Sequence, residues 1–357
     1  TSIFPIHLNI KNSHNLGETI KTIKEDLRQI PHKGIGYGVL TYLTPKSSLI
    51  SKNHPSLSFN YLGQWDNTLT QEGFFSFSQE STGRSVSEKN EQTYLLDINS
   101  EIRQGVLHLF WSYSHNRYHQ ETIDIVAEGF IDRLRALIDH CCQDNVFGYT
   151  PSDFTLAGLT QRNLDTSFDI AHIENIYPLS PMQSGLLFQS LYAPDSDAYF
   201  VQSVFELEGE IDVLALKKAW QKVSDHHPIL RTGFIWQGLE TSLQYVLESA
   251  AVPLEVEDWQ DIGEKEREEA LQAFIKEDRK KGFNLNKAPL FRLTLVQWEK
   301  NRYCLIWSQH HILIDGWCLS IILGDVFKAY EALIHEKEVH FKSQRPYRDY
   351  IAWLQQQ

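Results

Sequence analysis

The residues best suited to chemistry lie together in Ser308-Gln309-His310-His311-Ile312-Leu313-Ile314-Asp315-Gly316-Trp317. An imidazole titrates closest to neutral pH of all side chains, so a positioned histidine here can take a proton from an attacking amine, hydroxyl or thiol. Asp315, four residues after His311, has two roles open to it. It can orient His311 directly, or it can be buried and paired with an arginine that fixes the shape of the loop, since a buried carboxylate needs such a partner. Gly316 lets the backbone turn or lets another group come close. The plainer alternative is that one or both histidines are satisfied core residues. Histidine and aspartate are also metal ligands, but successive side chains on a strand point to opposite faces, so no metal is expected at this pair.

The flanking sequence says how such a group would be held. Residues 303–307, rich in aromatic and β-prone types, read as a buried strand, and Ile321, Ile322, Val326, Phe327, Tyr330 and Leu333 have the spacing of an amphipathic helix over 319–333. The histidines therefore stand where a strand enters a loop. Further strands are expected at 199–207 and 290–298, a helix at 211–224 with Leu214, Leu216, Ala219, Trp220 and Val223 inward, and a turn into a strand at 226–234. A highly charged helix at 264–281 reads as a solvated face. In the first part of the chain, strands are expected at 3–10, 56–64, 94–98 and 106–113. Helices are expected at 16–30, ended by Pro31, and at 120–141 with Ile123, Val126, Phe130, Leu134, Leu137 and Ile138 on one face. The glycine-rich run 32–38 follows a helix and lacks the Gly-Lys-Ser/Thr ending of a phosphate loop, so nucleotide binding is set aside. Residues 144–169 break every period and read as a linker.

The chain has 357 residues, 42% of them hydrophobic, which makes two mixed α/β domains the natural expectation. A net charge of -13 without any basic block argues against nucleic acid as a partner. No eighteen-residue apolar run and no basic leader are present, so neither a membrane span nor a signal peptide is expected, and the bland location is the cytoplasm. Cys141, Cys142, Cys304 and Cys318 have no CxxC spacing and read as reduced packing residues. The chain opens without Met on a strand-like run, as a piece of something longer would.

Several separated motifs together resemble the condensation-domain superfamily of nonribosomal peptide synthetases. Tyr177-Pro178-Leu179-Ser180-Pro181-Met182-Gln183 with Ser184, Gly185, Leu186, Leu187 and Phe188 is similar to the family's first motif. His227-Pro228-Ile229-Leu230-Arg231-Thr232 is similar to its second, His310 to Gly316 to its HHxxxDG motif, and Tyr347-Arg348-Asp349-Tyr350-Ile351-Ala352-Trp353-Leu354 to its fourth. Four motifs in the right order are more specific than any one of them. The first half resembles the epimerization branch through residues 1–8, Pro31-His32-Lys33-Gly34-Ile35-Gly36-Tyr37-Gly38 and Phe59-Asn60-Tyr61-Leu62-Gly63-Gln64.

The resemblance implies a fold of two chloramphenicol acetyltransferase-like lobes, each an α/β sandwich, joined by a linker. Residues 1–143 would be the C-terminal lobe of an epimerization domain, 144–169 the linker, and 170–357 the N-terminal lobe of the next condensation domain. It implies that His311 acts on the α-amine of the acceptor, with His310 supporting it. Asp315 would pair with Arg231 for structure, and Gly316 and Trp317 would line the substrate tunnel. The implied reaction is amide formation between a peptidyl donor, ending in a D-residue, and an aminoacyl acceptor. Both substrates ride on phosphopantetheine arms of peptidyl carrier proteins, with no cofactor bound directly and adenylation domains of the same synthetase as further partners. Two rivals stand beside this: a free-standing acyltransferase of the same superfamily using coenzyme A, and a noncatalytic scaffold or docking unit. Because each lobe lacks its mate, no condensation activity is expected from residues 1–357 alone.

Overall fold

The computed structural model describes residues 3–8, 10, 15–44, 55–65, 93–144, 146–168, 171–193 and 196–357, with the single residues 80, 83, 87, 90 and 91. The chain divides into two compact units, Thr1–Gly148 and Tyr149–Gln357. The architecture is mixed α/β throughout.

The first unit holds helix α1 (Leu16–Arg28), strands β1 (Leu57–Gln64), β2 (Leu96–Arg103) and β3 (Val106–Tyr113), and helix α2 (Gln120–Cys141). Asn15 starts α1 by accepting the Glu18 N–H at 3.1 Å, and Glu18 and Arg28 sit at the ends where the helix dipole favours their charges. β1 runs parallel to β2, and β2 antiparallel to β3. The β2–β3 hairpin closes on Gln104 and Gly105, both with positive φ, the two-residue turn whose twist matches its strands. Residues 3–8 and 10, expected as strand, have no strand partner among the described residues. On α2 only Ile123 is buried, whereas Val126 and Ile138, expected inward, are exposed. Trp111 meets Phe130 edge-on at 5.9 Å.

The second unit contains helix α3 (Gln161–Ser167), β4 (Ile173–Pro178), α4 (Pro181–Tyr192), β5 (Phe200–Glu208), α5 (Val213–His226), β6 (Thr232–Ile235) and β7 (Leu243–Leu247). It continues with β8 (Leu254–Asp258), α6 (Glu264–Lys281), β9 (Phe291–Glu299), β10 (Arg302–His310), α7 (Gly316–Ile334) and α8 (Tyr347–Leu354). One sheet has the order β5-β10-β9-β8, and a smaller one β4-β7-β6. β10 lies antiparallel between β5 and β9, which explains its unbroken apolar run: a central strand covered on both faces has no polar side. Trp220 of α5 packs edge-on against Trp307 of β10 at 5.0 Å, both completely buried, at the heart of the main core with Leu230, Phe291, Leu305 and Val326.

Residues 149–168, read from sequence as part of a linker, are packed. Phe154, Leu159, Leu164 and Phe168 are buried with Ile173, Ile176 and Tyr245 in a second core. Two capping boxes, at Thr150 with Asp153 and Thr160 with Asn163, order this stretch locally. Leu214 is 71% exposed against expectation, because the buried stripe of α5 is Ala215, Leu216, Ala219, Trp220 and Val223. The charged α6 is not wholly solvated either: Leu271 and Asp278 face inward. Of the cysteines, Cys304 is buried with its thiol pushed up to about 12 by burial, while Cys141 and Cys142 are exposed instead of packed.

Candidate active site

β10 delivers His310 as its last residue, paired with Phe200 of β5, and the chain then turns. The His310 N–H donates to the Leu290 carbonyl at 3.0 Å and the His311 N–H to the Tyr199 carbonyl at 2.8 Å, so both neighbouring strands grip the turn. Ile312, Leu313 and Ile314 are buried and anchor it into the main core. Asp315 caps α7, its Oδ1 accepting the N–H groups of Trp317 and Cys318 at 3.1 Å each.

The two histidines are set up for different tasks. The Ile312 N–H donates to His310 Nδ1 at 3.2 Å, which leaves the proton on Nε2, 3.3 Å from Ser190 Oγ; that hydroxyl donates in turn to the Leu186 carbonyl at 2.8 Å. Burial, reinforced by the neighbouring His311, lowers His310 to about 4. It is a neutral, satisfied interior residue. His311 is exposed, and its Nδ1–H donates to the Ile314 carbonyl of its own turn at 2.8 Å. That bond selects the tautomer in which Nε2 carries a lone pair, the form a general base needs.

The expected Asp315–Arg231 ion pair is not formed. Arg231, in the short turn Pro228–Arg231, is buried, with Nε donating to the Ser224 carbonyl at 3.0 Å and Nη2 to the Asp225 carbonyl at 3.0 Å. Nη1 reaches Glu174 Oε2 at 2.8 Å and also the Leu247 carbonyl. Every nitrogen of the guanidinium is thus spent on tying α5 to β4 and β7. Asp315 is exposed instead of buried, and hydrogen bonds from the Cys318 side chain and from the Cys318 and Trp317 backbone hold its carboxyl below the usual range. The aspartate shapes the loop, but as a helix cap. A Cβ placed on Gly316 would meet nothing within 4 Å and its φ is not left-handed, so of the two readings of this glycine, open approach is the one that fits. Trp317 is 85% exposed beside it.

Sequence reading placed Gln183 in the first motif without giving it a role; it is the third residue of α4 and 5% exposed. Its Oε1 accepts the Ser180 N–H at 3.0 Å and a Gln244 Nε2–H at 2.9 Å, while its Nε2 donates to Gln244 Oε1 at 3.2 Å and to the Ile312 carbonyl in the histidine turn at 3.4 Å. The Ser180–Gln183 spacing announces a capping box, but the tie to Ile312 joins residues 129 apart. Asp278 was missed: it accepts from Arg292 Nε at 2.5 Å, Ser308 Oγ at 2.6 Å and Gln202 Nε2 at 3.0 Å, locking α6 to β5, β9 and β10 just before the histidines.

Compared with known proteins, the sequence matches the family described as "Condensation domain" over residues 1–155 and 173–357. The chain belongs to the condensation-domain family. Relatives of this condensation-domain chain include a linear gramicidin synthase of Brevibacillus parabrevis, 40% identical over 362 residues, and bacitracin synthase 3 of Bacillus licheniformis, 34% identical over 360 residues. Both matches cover 100% of this chain but 5% and 6% of those proteins, so the chain spans a small part of the relatives it matches. Among solved structures, the starter condensation domain of rhizomide synthetase RzmA aligns at 24% identity with a TM-score of 0.46, over 51% of this chain and 45% of that one. The family is the one expected from the motifs of nonribosomal peptide synthetases, and no described helix is long and apolar enough to cross a membrane.

Proposed function

We propose that residues 170–357 are the N-terminal lobe of a condensation domain that forms an amide bond, and that residues 1–143 are the C-terminal lobe of an epimerization domain preceding it. The first assignment rests above all on His311, whose Nδ1–H is committed to the Ile314 carbonyl so that a basic Nε2 stands at an exposed loop end. The second rests on the epimerization-like motifs around Gly34 and Tyr61 and on the family match breaking over residues 156–172, near the boundary of the two units.

In this reading the acceptor amine attacks the donor thioester carbon; the C–N bond forms and the C–S bond breaks. The proton lost by the amine passes to His311 Nε2 and is returned to the departing thiolate. Both substrates arrive on phosphopantetheine arms of peptidyl carrier proteins within a cytoplasmic synthetase that also carries adenylation domains. The protein contributes position and one proton-handling group. Open space above Gly316, flanked by Trp317, suits a passage for such an arm. A donor ending in a D-residue follows from the epimerization domain upstream.

The test uses the full synthetase with loaded carrier proteins. Amide product is expected from the parent, only with a D-terminal donor, and its loss from His311→Ala. Equal product from an acyl-coenzyme A donor would favour the free-standing acyltransferase, and undiminished product from His311→Ala would leave only a scaffold. Residues 1–357 alone are expected to form no product, because each lobe would lack the mate that completes its channel.

A further inference from the structure

The geometry points to a second site in the C-terminal unit, away from the histidine turn: His226, His227 and Asp325 form a binding site for one divalent transition-metal ion of the zinc class. One ligand atom from each of the three residues lies within 4.8 Å of the other two. The sequence hides this set, because Asp325 is 98 residues from His227 and adjacent histidines ordinarily diverge.

They converge here because α5 stops between them. His226 is the last helical residue, and His227 turns extended, with φ -105° and ψ 96°, so the two rings come edge to face with centroids 4.9 Å apart. α7, packed along α5, brings up Asp325, whose Oδ2 is 2.9 Å from His227 Nε2; the side chains of this pair are 14% and 8% exposed. The other ring is oriented from a third segment. His226 Nε2–H donates to the Lys342 carbonyl at 3.1 Å, and Phe341 stacks on the ring at 4.6 Å. A carbonyl that takes one imidazole N–H fixes the tautomer and leaves Nδ1 with a lone pair, the arrangement found behind histidines that ligate metals.

The donor set selects the ion. Two imidazoles and one carboxylate, with a fourth position for water, suit zinc and its neighbours, whereas magnesium and calcium call for oxygen ligands. Bonds of about 2.0–2.2 Å in a tetrahedral site put ligand atoms roughly 3.3–3.6 Å apart. The His227–Asp325 pair needs only to open slightly, and the half-buried His226 ring rotates inward. Lys328, whose Nζ lies 3.9 Å from Asp325 Oδ1, is 69% exposed and free to withdraw into solvent. An ion held there would staple the end of α5 to α7 and to the strap at Phe341 and Lys342.

The test is metal binding by the whole chain, stripped with chelator, in a Cys141→Ser/Cys142→Ser background that removes the exposed thiols as competitors. Equilibrium dialysis against Zn2+ is expected to leave one equivalent bound. Co2+ in its place should give visible bands of a nitrogen and oxygen site without thiolate charge transfer. Zn2+ should also raise the melting midpoint. His226→Ala, at a half-buried helix end outside the main core, should weaken binding about tenfold or more, and Asp325→Asn likewise, both abolishing the thermal shift. No bound equivalent in the parent, or equal binding by His226→Ala, overturns the site and leaves a hydrogen-bonded His–Asp pair.

Discussion

His310 and His311 occupy consecutive positions yet face opposite surroundings, and this separates what each can contribute. His311 reaches solvent with its base nitrogen free, so under the proposed reaction His311→Ala in the full synthetase is expected to lower the condensation rate by roughly 10²–10⁴-fold with the fold intact. Steady-state rates with a matched melting curve check this. His310 acts on stability instead. Its ordinary value near 6.5 falls to about 4 in the folded chain through burial. As pH falls through this window the unfolded chain takes up a proton that the folded chain refuses, so the stability present above pH 6.5 is lost towards pH 4. The loss between pH 7 and pH 5 is about 2 kcal/mol for this ring, and burial of His227 acts in the same direction. Urea titrations at the two pH values measure it; His310→Asn should narrow the gap, and a parent equally stable at both would refute the assignment. Asp315 and Arg231 divide in the same manner. Losing a helix cap costs about 1 kcal/mol, so Asp315→Ala should melt only slightly early. Arg231→Ala strands buried carbonyls at about 1–3 kcal/mol each and should cost more. Equal midpoints for the two variants would contradict the observed partners.

At the scale of elements, the strand–turn–helix that carries the site was legible in the sequence because local rules govern it. The run at 303–307 has the types of a covered strand, and the spacing from Ile321 to Leu333 fits one helix face, so β10 and α7 emerge where expected. Three failures around the site share a physical cause: each concerns a partner distant in sequence. Nothing near Asp315 tells whether a guanidinium reaches it, nothing in the charged run of α6 shows that Asp278 will meet Arg292 and Ser308, and nothing near Gln183 announces Ile312. Irregular spacing at 149–168 resembled a linker for a different reason: its order comes from short local caps, which leave no period, and from burial against β4 and β7. Gln183 gives this level its prediction. Through the Ile312 carbonyl it braces the turn that orients His311, so Gln183→Leu should lower kcat while leaving KM for the carrier-bound substrates nearly unchanged. It should also destabilise by about 1–3 kcal/mol, because Gln244 Oε1 loses its donor and Gln244 Nε2 keeps only the Pro178 carbonyl. A variant with parental kcat would show that the buried Ile312–Ile314 anchor alone holds the turn.

For the whole molecule, the distribution of buried side chains sets where rigidity lies. The unit Tyr149–Gln357 encloses a continuous core around Trp220 and Trp307, while among the described residues of Thr1–Gly148 the buried apolar side chains are Ile98 and Ile123. Apolar burial is the dominant favourable contribution to folding, so the two units should open independently and at different cost. Native-state hydrogen exchange measures this directly. Amides of β9 and β10 are expected to exchange slowest and those of β1 and the second half of α2 much faster, with two transitions in urea, the earlier reporting the first unit. The difference matters for chemistry, because the tautomer of His311 is fixed by a carbonyl of its own turn, and that turn is held by β5, β9 and the buried side chains beneath it. The proposed proton transfer to His311 therefore draws its precision from the unit that carries the turn. If instead β10 and α2 exchange through one common opening, the units fold as a single cooperative block, and the precision of the histidine turn would depend on all of the chain.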